Sequence, residues 1–298
     1  MGEGQRLTDT VEMRDGRSLA VKVSGDPEGS PVFLLHGTPG SRLGPHPRGQ
    51  LLHRMGVQLI TFDRPGYGGS DPLPDRRVAD VAEDVLAIAD HLGIGRFAVV
   101  GRSGGGPHAL ACAALLPDRV SRAAVLVGLA PQDAEGLDWF DGMVESNVLH
   151  FTAAGAGLGP LAGRLMASAD AFHADPTSLI DGLLANLTED DLHVVADPGI
   201  RSMLIRSYQE ALRTSVDGWI DDARAFCRPW GFDPATVRIP VLLWHGERDM
   251  FSPVAHARWL GARIPDATLV VKPDAAHLGA LEVLPDVLGM LVADVPSQ

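Results

Sequence analysis

A serine hydroxyl becomes a nucleophile when a base takes its proton, and the base works best when a carboxylate fixes its tautomer. One serine has the setting for this: Gly101-Arg102-Ser103-Gly104-Gly105. The stretch follows an apolar run at 97–100 and precedes an alanine-rich segment, 107–116, closed by Pro117. Read as strand, turn and helix, these neighbours make the pentapeptide a G-x-S-x-G nucleophile elbow. The turn is tight, so small residues must flank Ser103. The elbow would lift the hydroxyl above the strand end and aim the positive end of the following helix at the site.

An acid and a base follow later in the chain. His245-Gly246-Glu247-Arg248-Asp249 comes after the apolar run 241–244, and Asp274-Ala275-Ala276-His277 after the run 268–271. Both loops would leave the carboxyl ends of parallel strands, where such sheets gather ligands. His277 is assigned as the base and Asp249 as the carboxylate that orients it. Asp133, after the run 123–127, is the reserve acid, and Glu247 is a rival on the Asp249 loop. Acyl transfer also needs N–H donors for the developing oxyanion. Gly104, next to the nucleophile, supplies one. The other is expected in His36-Gly37-Thr38-Pro39-Gly40. Pro39 has no N–H, so Thr38 is the natural donor.

The elements that must hold these residues alternate along the chain. Runs at 10–14 and 18–24 flank the turn Asp15-Gly16 and read as a hairpin. Runs at 32–35, 58–62, 97–100, 123–127, 241–244 and 268–271 are short, continuous and apolar, as expected of strands covered on both faces. Between them, Val81, Val85, Ile88 and Leu92 mark one face of a helix over 78–92. The alternation predicts an α/β fold with a mostly parallel eight-stranded sheet flanked by helices. It lapses over 131–235, which carries no convincing strand. That stretch reads as an inserted helical cap between a first core segment, 1–130, and a second, 236–298. It holds 17 acidic and 6 basic residues, whereas the rest of the chain is nearly neutral.

The motifs together resemble those of the α/β-hydrolase superfamily, in the branch of small serine esterases and proline-iminopeptidase-like enzymes. The resemblance rests on His36–Gly40, Asp63-Arg64-Pro65-Gly66-Tyr67-Gly68-Gly69-Ser70, Gly101–Gly105, His245–Asp249 and Ala276-His277. They span nearly the whole core in the family's order, with Ser103, Asp249 and His277 following the sequence nucleophile, acid, base. The resemblance implies a helical cap after the sixth strand, which 131–235 fits, and a structural turn at 63–70. A serine at 103 argues against the relatives that attack with an aspartate.

The expected reaction is hydrolysis of a carboxylic ester of a small molecule through an acyl-enzyme. The alternatives are a proline-iminopeptidase-like aminopeptidase, a lactone or C–C bond hydrolase, and a non-catalytic ligand receptor on the same fold. An acidic cap facing the cleft would favour a substrate ammonium; Asp190, Asp191, Asp221 and Asp222 are the residues whose direction decides this. Trp139, Phe140, Met143, Trp219, Phe226 and Trp230 could line an apolar pocket or pack the cap.

Composition excludes other classes. A 298-residue chain with 45% hydrophobic and 21% charged residues can bury a sizeable core, and a net charge of −13 disfavours nucleic acid as a partner. Cys112 and Cys227 are too few for a disulfide framework or a four-thiolate zinc site. No cofactor or metal is expected: no phosphate loop with Gly-Lys-Ser/Thr and no H-E-x-x-H occurs, and Gly155-Ala156-Gly157-Leu158-Gly159 lacks the strand a dinucleotide loop needs. Residues 1–17 are polar without an apolar leader core, and no membrane span is seen. The expectation is a cytoplasmic enzyme whose partner is a small substrate entering between core and cap, with no membrane partner.

Overall fold

The structure, a computed structural model, describes residues 7–184 and 186–293. The start of the polar amino-terminal stretch lies outside them.

All eight predicted strands form: β1 Leu7–Glu12, β2 Ser18–Gly25, β3 Ser30–Leu35, β4 Val57–Phe62, β5 Phe97–Arg102, β6 Val120–Leu126, β7 Val241–Gly246 and β8 Ala267–Lys272. They make one sheet in the order β1-β2-β4-β3-β5-β6-β7-β8. The first two pairings, β1 with β2 and β2 with β4, are antiparallel and the remainder parallel.

The strands read as unbroken apolar runs because both faces are covered. Side chains of a strand alternate between faces, and the two faces here enter different cores. Phe33, Leu35 and Val99 pack on one side with Val81, Val85 and Ile88 of α2 (Val81–His91) and Leu110 of α3 (Gly105–Leu115). Val32, Leu34, Ala98 and Val100 pack on the other with Leu52 of α1 (Gly49–Arg54) and Leu284, Val287 and Leu288 of α11 (Gly279–Val292). The helix predicted over 78–92 opens with a short 3₁₀ turn, Val78–Asp80, before α2. A further helix, α10 (Val254–Gly261), follows β7.

Between β6 and β7 run six helices among the described residues, and no strand: α4 Glu145–Ala156, α5 Leu158–Ala174, α6 Ser178–Leu184, α7 Glu189–Ala196, α8 Pro198–Ala211 and α9 Asp217–Phe226. They have a core of their own, with Phe172, Ile180, Leu204 and Tyr208 in contact. The glycine-rich stretch 155–159 is the break between α4 and α5, with Gly157 at φ 131°. No described helix is long and apolar enough to cross a membrane.

Topology decides where a site can form. From β3 the chain steps to β4 on one side, then returns to β5 on the other. Connections that diverge in this way leave a crevice above the carboxyl ends of β3 and β5. Thr38 follows β3 and Ser103 follows β5.

Candidate active site

Ser103 sits at φ 53°, a left-handed conformation that costs a non-glycine residue energy and gathers at functional sites. The surroundings enforce it. Ser103 N–H donates to Leu126 O at 2.8 Å, and Gly106 N–H donates to Ser103 O at 2.8 Å. The flanking glycines are required by close approach: a Cβ on Gly101 would strike the backbone of Gly105, and one on Gly105 the backbone of Leu35. The resulting corner leaves the Ser103 side chain at the start of α3.

The structure brings the three predicted side chains together. Ser103 Oγ donates to His277 Nε2 at 3.1 Å, and His277 Nδ1–H donates to Asp249 Oδ2 at 2.8 Å. Asp249 is 4% exposed. Its Oδ1 accepts from the N–H groups of Phe251 and Ser252 at 2.8 and 3.0 Å, and His245 Nε2 lies 3.2 Å from Oδ2. Burial alone would raise the pKa of this carboxyl. The positive ends of His277 and His245 outweigh it and hold Asp249 far below the usual carboxylate range. It is therefore a fixed anion behind the imidazole. Asp133 is exposed and has no part in this arrangement, and Glu247 is exposed and paired with Arg258 at 2.8 Å.

The two expected oxyanion donors face the same space. Thr38 and Gly104 both line the cavity in front of Ser103, and neither N–H has an acceptor among the described residues. Their loops are in contact: a Cβ on Gly104 would lie 2.9 Å from Thr38 Cβ and 3.1 Å from Phe226 Cζ, so the position admits only glycine without displacement.

The cavity has a volume of about 410 Å³, within the range of small-molecule sites. Its floor includes Ser103 and His277, and its roof comes from α4, α5, α6, α8 and α9. Of the aromatic candidates, Trp219 and Phe226 line it, whereas Trp139, Met143 and Trp230 are buried in the main core. Phe151 and Phe251 line it as well, and nothing in their sequence neighbourhood marked them.

The acidic residues of the cap do not line it. Asp191, Asp221 and Asp222 are buried against other groups, and Asp190 pairs with Arg248 at 3.2 Å. Asp191, on α7, accepts from the backbone N–H groups of His277 and Leu278 at 3.2 and 2.6 Å. Asp222, on α9, accepts from Thr38 Oγ1 at 2.6 Å and from Tyr67 Oη at 2.9 Å, and pairs with Arg64 and Arg76. These two aspartates are residues whose role the sequence did not reveal: each ties a helix of the cap to a loop of the site. The 63–70 segment holds as a structural turn. Its Asp63, fully buried, accepts from Gly69 N–H at 2.9 Å and Arg42 N–H at 2.6 Å.

A sheet of this order, an elbow serine at its centre and a helical insertion after the sixth strand define an α/β-hydrolase. The family model for the alpha/beta hydrolase fold matches residues 30–282, and the chain belongs to that family and is a hydrolase. Its curated relatives include proline iminopeptidases. That of Arabidopsis thaliana is 26% identical over 292 residues, covering 90% of this chain and 74% of the relative. That of Neisseria meningitidis serogroup B is 26% identical over 287 residues, covering 91% and 90%. Solved structures share the fold: an enol-lactonase from Burkholderia xenovorans LB400 (TM-score 0.70, 20% identity, 95% of this chain and 98% of that one) and an esterase from Exiguobacterium antarcticum (TM-score 0.67, 21% identity, 97% and 100%).

Proposed function

We propose that the chain is a serine hydrolase that cleaves a carboxylic ester or lactone of a small molecule through an acyl-enzyme. Ser103 Oγ attacks the acyl carbonyl while His277 Nε2 takes its proton. Asp249 stabilises the imidazolium that results and keeps Nδ1 protonated. The N–H groups of Thr38 and Gly104 receive the oxyanion. The tetrahedral species collapses as His277 returns the proton to the leaving oxygen. Water, deprotonated by the same imidazole, then frees the acid. The observation that carries this reading is the unbroken hydrogen-bond chain Asp249–His277–Ser103 opening onto a closed-over cavity.

The named relatives favour a second reading, removal of an amino-terminal residue from a peptide. That reaction needs an anion to hold the substrate ammonium, and no Asp or Glu is among the described residues that line the cavity. Ester or lactone cleavage is therefore preferred here.

The test pairs a neutral fluorophosphonate with Ser103→Ala. The wild type should label rapidly. The variant should not label, and it should lose about 10⁴–10⁶ in kcat on any ester the wild type turns over. Retention of a tenth of the activity would remove Ser103 as the nucleophile.

A further inference from the structure

The charge of the cavity is opposite to that of the chain. The protein carries a net −13, most of it in the helical insertion with its 17 acidic and 6 basic residues. Yet among the described residues that line the cavity the ionised side chains are two guanidiniums, Arg102 and Arg164. Neither forms an ion pair or a side-chain hydrogen bond among the described residues.

Arg102 is the variable residue of the elbow, adjacent to Ser103. Its guanidinium reaches under the oxyanion loop, where a Cβ on Gly37 would lie 3.2 Å from its Nη2. It is half-buried, and the one group coupled to it is the phenol of Tyr208, which also lines the cavity. Burial draws the Arg102 pKa down, although a guanidinium stays protonated at any working pH. A cation held out of water with no anion beside it is costly. The two buried arginines among the described residues, Arg64 and Arg76, have Asp222, and the largely buried Arg42 has Asp63 and Glu210.

Arg164, on α5, stands at the exposed side of the same cavity. It faces His150, whose pKa is lowered to about 4, by burial first and by the Arg164 charge second. His150 is thus neutral near pH 7 and adds no charge. The lining is then positive both beside Ser103 and at its exposed side, with no Asp or Glu among the described lining residues.

We infer that the substrate carries a carboxylate of its own, which Arg102 and Arg164 recognise, so that the bond cleaved is in a half-ester or lactone of a dicarboxylic acid. The inference rests on the proposed serine hydrolase and names its substrate class. A guanidinium presents two parallel N–H donors that match the two oxygens of a carboxylate. The unpaired Arg102 would gain in the complex the anion it lacks in the free protein. Arg164, at the mouth, would draw the anion in and feel screening by salt. The same lining repels a substrate ammonium.

Three ethyl esters with six-carbon acyl chains differ only at the far end: monoethyl adipate, ethyl hexanoate and ethyl 6-aminohexanoate. Hydrolysis is followed in a pH-stat. The anionic ester should exceed the neutral one in kcat/KM by about ten- to a hundredfold, mostly through KM, and the cationic ester should be the poorest. Arg102→Gln should lower the anionic-to-neutral ratio about tenfold, and Arg102→Lys should keep part of it. Arg164→Gln should lower it less, and its effect should shrink between low and high salt. A wild-type ratio at or below one, with ethyl hexanoate turned over, overturns the inference and leaves the serine hydrolase standing. Failure of all three esters counts against the esterase reading, and binding then decides. On Ser103→Ala, calorimetry should find monoethyl adipate bound and ethyl 6-aminohexanoate not, and the reverse order overturns the inference.

Discussion

Asp191, on a helix of the inserted cap, accepts the backbone N–H of His277 at 3.2 Å and that of the next residue, Leu278, at 2.6 Å. The carboxylate never touches the imidazole ring, yet it fixes the loop from which the ring projects. The cap is therefore more than a roof over the cavity. It is a second support for His277, acting on the backbone where Asp249 acts on the ring.

A positioning role of this kind predicts a particular kinetic signature. Asp191→Ala should lower kcat by about ten- to a hundredfold, through loss of the His277–Ser103 alignment, with KM changed far less. Asp191→Asn, which keeps one acceptor oxygen, should recover much of the loss. The rate of fluorophosphonate labelling should follow kcat in both variants. A change confined to KM would show that Asp191 acts on the cavity rather than on the base.

Ser103, His277 and Asp249 were legible in the sequence because each follows a run that could only be a doubly covered strand. Chain order and strand position then narrowed eleven histidines to one. The acids of the cap were not legible, since an aspartate in a polar helix looks the same whether it faces water or a partner on another element. Asp191 and Asp222 face partners more than 80 residues away in sequence. Arg102 was hidden for a related reason: it occupies the free position of the elbow, and only the fold shows that no carboxylate comes to meet it. The short 3₁₀ turn before α2 escaped because it continues the same apolar face.

His256 makes acid sensitivity a matter of one defined proton. Its Nδ1 accepts from Ala130 N–H and its Nε2–H donates to Trp139 O, both at 3.1 Å, so the ring is held neutral. Burial first, and the neighbouring His245 second, lower its pKa to about 4. In the unfolded chain a histidine titrates near 6.5. Between those values the unfolded state binds a proton that the folded state refuses, so stability falls as pH falls from about 6.5 to 4, by up to roughly 3 kcal/mol. His108 and His150, also lowered to about 4, act in the same direction. Asp84, raised to about 6 by burial, acts in the opposite one. His256→Gln isolates the single contribution. Urea unfolding at pH 7.5 and pH 5 should show the variant less stable at the higher pH, with the gap narrowing at the lower. A gap that stays constant would mean that His256 is not held neutral.

Asp222 should prove the more costly of the two cap aspartates to replace, and for a reason beyond the oxyanion loop. It is fully buried and is the anion shared by Arg64 and Arg76, with His108 Nε2 3.4 Å away. Its burial favours the neutral acid, but the two guanidiniums outweigh that and hold it well below the ordinary carboxylate range. Removing the charge strands two buried cations, a loss of about 3–5 kcal/mol for broken buried pairs. Asp222→Asn should therefore lower the unfolding free energy by about that amount. The link to catalysis runs through Thr38, whose hydroxyl donates to Asp222 while the residue itself lines the cavity. Thr38→Val keeps the ion pairs and removes the hydroxyl's bond to Asp222 together with the one it accepts from Arg64 Nη2 at 3.1 Å, which predicts a smaller stability loss of about 1–3 kcal/mol, typical of hydrogen bonds to charged groups. It should also lower kcat, because the N–H of residue 38 is then free to drift from the oxyanion position. Comparing the two by urea unfolding and by kcat separates the effects. If Thr38→Val loses stability without losing kcat, the hydroxyl anchors the cap and does not aim the donor.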